Sequence, residues 1–184
     1  MSCRWDFIII TVPHAVCKSN FYIDHNCDFI AKPYSYQIKQ ILDKYGIDNK
    51  LFIGNINRKI LDLNRIESKN TDFHKKLELF INKIKRKYKN ILLIDIHSGD
   101  FGFDKSPIII YDFPSCLDDN IIRNLLKNNI ITKESLFKAN TFNYIVNKYQ
   151  NKGITSILIE INEDNIPDCE YLNNFIKSIC FEGL

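Results

Sequence analysis

The stretch of residues 91–98 constrains the fold of this chain more than any other. Apart from Asp95 it is apolar as far as Ile96, and it ends in His97 and Ser98 before a glycine. A short apolar run of this kind is typical of a buried strand. Because ligands in open α/β sheets lie outside the carboxyl ends of the strands, His97 is well placed to bind a metal or transfer a proton. On its own, a hydrogen-bonded core histidine would be the simpler interpretation.

Two other predicted strands also carry a chemically capable residue. Residues 7–12 are almost wholly apolar and are followed directly by Pro13 and His14. Residues 157–162 form an apolar run that is interrupted by Glu160. Three buried-type strands therefore each supply one residue that can bind metal or act as an acid or base, and this favours a common site.

The remaining pattern alternates strands with helices. We predict further strands at 50–54 and 107–111, a loop or short strand at 57–65, and helices at 36–42, 73–88, 117–128, 133–151 and 168–179. This alternation predicts an α/β fold of three layers, with a mixed, mostly parallel sheet and helices on both faces. Residues 1–184 show no linker and no internal repeat, so we expect one domain.

Composition excludes several classes of protein. A chain of 184 residues that is 45% hydrophobic and 26% charged is typical of a globular enzyme or binding domain. Its net charge of +3 does not indicate a nucleic-acid partner, and the lysine-rich end of helix 73–88 is better explained as a solvated surface. No stretch is long enough to span a membrane, so we expect no membrane partner.

The six cysteines include no CxxC pair, and the amino-terminal apolar run is too short for a signal peptide. Both features favour a cytoplasmic protein whose thiols are reduced.

The histidines predict a metal site. His14 and His97 offer the imidazole nitrogens that zinc prefers, and Asp24, Asp28 and Cys17 lie within one loop of His14. Two histidines and one anionic ligand leave a fourth position for water, which is the pattern of catalytic zinc.

Three charged residues complete a set that fits hydrolysis. Glu160 could accept the proton of the attacking water. Arg58 and Arg65 could hold a carboxylate or stabilise an oxyanion. Together these residues fit metal-assisted hydrolysis of an amide beside a carboxylate. Each has an ordinary alternative: a loop cap for His14, a buried ion pair for Glu160, and a surface turn for residues 62–65.

In order along the chain, these residues resemble the N-formylglutamate amidohydrolase family. The resemblance rests on Val12-Pro13-His14-Ala15, Asp28, Arg58, Asp62-Leu63-Asn64-Arg65, Asp95-Ile96-His97-Ser98 and Glu160-Ile161-Asn162. The family is similar in fold and catalytic layout to the zinc carboxypeptidases and aspartoacylases.

The resemblance implies specific roles. His14 and His97 would be zinc ligands, Glu160 the general base and acid, and Arg58 the residue that faces the carbonyl oxygen. Asn64 and Arg65 would hold the substrate carboxylate, and Ser98 is grouped with them as substrate-binding.

Three residues compete as the third zinc ligand. Cys17 has the spacing from His14 at which carboxypeptidases have a glutamate, whereas Asp28 matches an acid of the resembling family. We expect Asp28, because a carboxylate keeps the metal more electrophilic than a thiolate does, and Asp24 is the substitute if the loop runs differently.

The sequence thus predicts a zinc-dependent hydrolase, most simply an amidohydrolase of N-formylglutamate-like N-acyl amino acids. One alternative is a carboxypeptidase-like enzyme that trims a peptide or protein C-terminus. The other is a binding module that has lost catalysis.

Overall fold

The computed structural model describes residues 3–17, 27–100, 106–112, 117–128, 130–134 and 143–181. Within them a six-stranded sheet forms the middle of the fold. Its strands are β1 (Phe7–Val12), β2 (Asn49–Ile53), β3 (Ile91–Gly99), β4 (Ile108–Asp112), β5 (Ile131–Glu134) and β6 (Thr155–Asn162).

The sheet is mixed and mostly parallel, as predicted. Its strand order is β2-β1-β3-β6-β4-β5, and every neighbouring pair is parallel except β4 and β6. β1, β3 and β6 therefore lie side by side and end at the same edge. These are the strands that carry or precede His14, His97 and Glu160.

Helices cover both faces of this sheet. They are α1 (Ala31–Lys44), α2 (Asp72–Ile84), α3 (Asp119–Lys127), α4 (Tyr144–Gln150) and α5 (Cys169–Cys180), with a short 3-10 helix at Ile66–Ser68. Residues of α1, α3 and α5 share one apolar cluster with Ile8 and Ile94. Residues of α2 and α4 share the other cluster with Ile9 and Leu93. The three-layer prediction is confirmed.

The alternation of strand side chains explains how a polar site arises in an apolar layer. All six residues of β1 are buried, as expected for a strand covered on both faces. In β3, Leu93 faces α2 and α4. Because side chains alternate along a strand, Asp95 and His97 continue on that same face. Polar side chains therefore occupy the last part of a strand face whose earlier residues are apolar.

One predicted helix is wrong. We expected a helix at 133–151, but Ile131–Glu134 is strand β5, paired in parallel with β4, and α4 covers only Tyr144–Gln150. The β-branched pair Ile131-Thr132 suits a strand, and β4 offers it a pairing partner that outweighs local helix preference. Residues 135–142 lie outside the described part of the chain.

No helix among the described residues is long and apolar enough to cross a membrane.

Gly54 lies against the end of β1 and the residue that follows it. Its backbone N–H donates to the carbonyl of Val12 at 2.8 Å. A Cβ at this position would collide with the carbonyl of Pro13 and with the side chain of Leu63. Only glycine therefore lets the chain after β2 approach the segment that carries His14.

Gly54→Ala should therefore destabilise the protein by about 1–3 kcal/mol, because the backbone of Pro13 must move. Urea unfolding measures this change. Asn55→Ala, at the exposed neighbouring position, is the control and should change stability by less than about 0.5 kcal/mol. Equal stabilities for the two variants would contradict the close approach.

Candidate metal centre and active site

Three residues from separate parts of the chain converge at the carboxyl edge of the sheet. One ligand atom from each of His14, Asp28 and His97 lies within 4.8 Å of the other two. Oδ2 of Asp28 is 3.1 Å from Nδ1 of His14 and 2.7 Å from Nδ1 of His97. All three side chains are buried. The two histidines predicted as ligands are thus brought together with one of the predicted acids.

Asp28 is directed into this group by its backbone. Its N–H donates to the carbonyl of His14 at 3.1 Å, and α1 begins three residues later. Asp28 is not the cap of this helix, because the N-cap residue is Ile30, which makes no side-chain capping hydrogen bond. The Asp28 carboxylate instead faces the two imidazoles.

The outer nitrogen of each histidine has a carboxylate partner. Nε2 of His14 lies 2.7 Å from Oδ1 of Asp62, and Nε2 of His97 lies 3.1 Å from Oδ2 of Asp95. An ionised carboxylate can only accept, so each contact fixes a proton on Nε2. Nδ1 of each histidine faces Asp28, and a metal bound among the three residues would take its lone pair. Without metal, Nδ1 of His97 carries a proton and donates to the Asp28 carboxylate. Two imidazoles, one carboxylate and these outer carboxylates fit a zinc ion.

The Asp95 carboxylate is itself held rigidly. It is fully buried, and the Thr11 hydroxyl donates to its Oδ1 at 2.5 Å. Thr11 and Asp95 are register partners in the pairing of β1 with β3, so the sheet itself sets this contact. The orientation of His97 therefore depends on strand register and not on a loop.

Asp62 links His14 to two arginines. Its Oδ2 is 3.2 Å from Nε of Arg58 and 3.3 Å from Nε of Arg65. The backbone N–H of Asn64 donates to Oδ1 at 2.8 Å, which closes a tight turn around the carboxylate. Both arginines are partly exposed, so the structure places positive charge at the rim of the site beside the buried histidines.

The charges of the site shift its pKa values. Burial alone would raise the pKa of Asp28, but His97 and His14 outweigh it and hold that pKa well below its usual range. Burial alone would lower the pKa of His97, yet Asp95 and Asp28 raise it well above its usual value. Without metal, His97 is therefore protonated and paired with carboxylates, and a cation would take the place of that proton.

Glu160 lies beside this group. It is the register partner of His97 in the parallel pairing of β3 with β6, so both side chains are on the same face of the sheet. Burial raises the pKa of Glu160 to about 7, while the charge of His97 opposes the rise. A carboxyl group with this pKa can exchange a proton near neutral pH.

Asn64 and Ser98 are placed differently from what the sequence suggested. The Asn64 amide is buried, with Nδ2 3.4 Å from Oδ2 of Asp95 and 3.1 Å from Nε2 of His97. Its Oδ1 accepts from the backbone N–H of Ile145 at 3.2 Å, at the start of α4. The Asn64 amide thus donates to the Asp95 carboxylate that orients His97, and it connects this pair to α4.

The Ser98 hydroxyl points to the other side of the sheet. It donates to Oε1 of Glu163 at 2.6 Å, and strand alternation places it opposite His97. This geometry does not favour a substrate contact for Ser98.

Cys17 is not a metal ligand, because its sulfur forms a disulfide with Cys27. The prediction that all thiols are reduced is also wrong for these two residues. Disulfides are typical of oxidising compartments, so the expected cytoplasmic location loses the support it took from reduced thiols. The disulfide joins the segment after His14 to the residue before Asp28. Asp24, the other alternative ligand, lies outside the described residues.

Sequence reasoning missed the roles of Asp62 and Asp95. Asp95 could have been found, because it precedes His97 by two residues on a predicted strand and must share its face. Asp62 carries no such local signal, since its approach to His14 depends on how the loop after β2 folds back.

No protein-family model and no curated protein matches this chain. Several solved structures share its fold. A gene product of Agrobacterium tumefaciens has a TM-score of 0.65 at 14% identity, and the match covers 93% of this chain and 86% of that one. N-formylglutamate amidohydrolase from Ralstonia eutropha has a TM-score of 0.62 at 9% identity, with 97% and 96% covered. N-acetylmuramoyl-L-alanine amidase AmiC2 of Nostoc punctiforme has a TM-score of 0.52 at 16% identity, with 94% and 92% covered. The fold is therefore one that amidases and amidohydrolases use.

Asp28→Asn should abolish stoichiometric zinc binding, because it removes the anionic ligand between the two histidines. A Cys17→Ser/Cys27→Ser double variant keeps all three ligands and should still bind zinc, although more weakly, since the loop before Asp28 loses its cross-link. Metal analysis after dialysis and competition with a chelator measure both effects.

Asp43→Asn, which removes an exposed acid of α1, is the matched control and should bind zinc normally. Full zinc retention in Asp28→Asn would contradict the assignment of this ligand. Complete loss of zinc in the double serine variant would show that the disulfide is indispensable to the site.

Proposed function

We propose that this protein is a zinc-dependent hydrolase that cleaves an amide bond next to a carboxylate. The observation that carries the proposal is the convergence of His14, Asp28 and His97 beside Glu160 at the carboxyl edge of the sheet. The shared fold of amidases and amidohydrolases supports the same reaction class.

His14, Asp28 and His97 would hold the metal. A divalent zinc ion bound there supplies Lewis acidity, which polarises the amide carbonyl and acidifies water. Asp62 and Asp95 accept the outer N–H groups, which fixes the tautomer whose inner nitrogen can bind a metal. A bound cation would displace the proton from the inner nitrogen of His97.

Glu160 is the residue that moves protons. In its ionised form it accepts the proton of the attacking water, and it then donates that proton to the leaving amine. A pKa of about 7 in the metal-free protein suits both steps. The charge of a bound cation would lower this value and so favour the form that acts as a base.

Arg58 and Arg65 bind the anionic parts of substrate and transition state. Arg58 lies nearer to the ligand group, with Nη1 4.0 Å from Oδ1 of Asp28, so it faces the carbonyl oxygen as negative charge develops there. Arg65 holds the substrate carboxylate. Asn64, which the resemblance grouped with Arg65, instead donates to Asp95 and so helps to orient His97.

The substrate we propose is an N-acyl amino acid of the N-formylglutamate type. A peptide C-terminus offers the same amide and carboxylate, so trimming of peptides is the alternative. Parallel assays of N-formyl and N-acetyl amino acids and of short peptides separate the two. No turnover of any of them by zinc-loaded protein would favour a binding module.

Glu160→Gln should lower kcat by at least ~100-fold while zinc binding is retained, because glutamine keeps the shape but cannot accept a proton. For the native zinc-loaded protein, kcat/KM should fall as the pH drops through the pKa of Glu160, which a bound cation places below 7, since Glu160 must be ionised to act as a base. Steady-state kinetics with parallel metal analysis tests both statements. Near-normal turnover in Glu160→Gln would refute the mechanism.

Arg65→Lys should lower kcat/KM roughly 10-fold or more, because lysine keeps the charge but loses the planar fork that binds a carboxylate. The loss should be confined to substrates with a free α-carboxylate. An amidated substrate is the control, and native enzyme should process it poorly. If the native enzyme cleaves both substrates equally well, Arg65 does not hold a carboxylate.

A further inference from the structure

The segment ahead of β1 is attached to the end of α5. The backbone N–H of Arg4 donates to the carbonyl of Cys180 at 2.9 Å, and the indole N–H of Trp5 donates to the carbonyl of Ile179 at 3.1 Å. Two hydrogen bonds from adjacent residues fix both position and direction of this segment. Cys3, the preceding residue, is thereby held against the last residue of α5.

Cys3 and Cys180 are neighbours in this arrangement. Cys3 packs against the apolar cluster that contains Cys180, and each thiol shifts the pKa of the other. The backbone N–H of Trp5 donates to Sγ of Cys3 at 3.4 Å. Cys180 is fully buried, whereas Cys3 is only partly buried at the edge of the same apolar cluster. Neither residue takes part in the candidate active site.

We propose that Cys3 and Cys180 are a redox pair that closes to a disulfide and joins the segment before β1 to the end of α5. The proposal is independent of the hydrolase function. Among the described residues, the two thiols are each other's reactive neighbours, and hydrogen bonds of Arg4 and Trp5 to the end of α5 hold them together.

The two thiols have unequal roles in this oxidation. The neighbouring Cys180 thiol lowers the pKa of Cys3 to about 7, which favours the thiolate form of Cys3 over that of Cys180. The same contact, together with burial, raises the pKa of Cys180. The partly exposed Cys3 is therefore the residue that an external oxidant reaches first, and Cys180 is the resolving thiol.

The oxidant is a small-molecule disulfide, such as oxidised glutathione. The Cys3 thiolate attacks one of its sulfur atoms, so that a mixed disulfide forms and one thiolate leaves. Cys180 then gives its proton to the small thiolate released in the first step and attacks Sγ of Cys3, which expels the second small thiolate; that thiolate takes a proton from water. Two protein thiols are oxidised and one small disulfide is reduced to two thiols. An environment that maintains the Cys17–Cys27 disulfide supplies such oxidants.

This disulfide would connect distant parts of the chain. Cys3 precedes β1, which leads to His14, and Cys180 ends the helix that follows Glu160 and β6. Closing so long a loop restricts the unfolded chain strongly, so the oxidised form should resist unfolding.

The test is to treat the native protein with oxidised glutathione and digest it with trypsin without reduction. Cleavage after Arg4 and Lys177 separates the peptide of Cys3 from the peptide that begins at Ser178. We expect these peptides to appear linked by a disulfide. Unmodified thiols, or a stable glutathione adduct on Cys3 with a free Cys180 thiol, would overturn the proposal.

Variants separate the two roles. Cys180→Ser should accumulate the glutathione adduct on Cys3, whereas in Cys3→Ser the buried Cys180 should remain unmodified. If Cys180→Ser does not fold, comparison of Cys3→Ser with the native protein still shows whether the linked peptide depends on Cys3. Cys169→Ser, which removes the exposed cysteine of α5, is the matched control and should form the linked peptide normally.

Two physical measurements report closure. After the same treatment, the native protein should melt roughly 5–10 °C above Cys3→Ser, because both keep the Cys17–Cys27 disulfide and differ in the new one. The single tryptophan, Trp5, adjoins the pair, so its fluorescence should change on oxidation of native protein and not of Cys3→Ser. Equal melting temperatures would contradict a role of the disulfide in stability.

Discussion

The contact between Asp95 and His97 is the interaction on which the candidate site depends most. Both residues lie on one strand, and the carboxylate is fixed by a hydroxyl from the neighbouring strand. A buried carboxylate in an apolar layer is costly unless it is paired. Here Thr11, His97 and Asn64 supply the partners, so the same contacts that satisfy the acid also orient the imidazole. Stability of the sheet and geometry of the site are therefore coupled.

The candidate site balances opposite charges within one polar region of an otherwise apolar interior. Asp28, Asp62 and Asp95 are negative, and they surround two imidazoles whose inner nitrogens face one carboxylate oxygen. The arginines at the rim neutralise Asp62 from outside. A cation in the centre would satisfy the remaining negative charge, whereas in its absence a proton on His97 must do so. Each buried carboxylate therefore has a positively charged or hydrogen-bonding partner, and this pairing explains why so many polar groups can be buried together.

The parts of the fold and site that follow from local pattern were predictable from the sequence. The apolar strands and their terminal residues predicted the parallel edge at which His14, His97 and Glu160 meet, since strand direction alone brings them together. The strand at Ile131–Glu134 was not predictable, because its pairing with β4 decides its conformation. The disulfide of Cys17 was missed for a similar reason: the contact joins the two ends of a loop, and sequence spacing alone did not distinguish a ligand from a cross-link. Asn64 was assigned to the substrate because the sequence could not show which way its amide points.

The antiparallel placement of β4 has a consequence for how such a protein could diversify. Because β4 runs against β6, its first residue lies at the edge where β3 ends, and Asn162 donates to the carbonyl of Pro107 there at 3.0 Å. Gly99 and Ile108 therefore both lie at the edge of the sheet that carries the candidate site. Insertions between these two residues would start and end beside the site and leave the strand order unchanged. Evolution, or a protein engineer, could in this way alter what the site admits while the candidate metal ligands and their supporting carboxylates remain as they are.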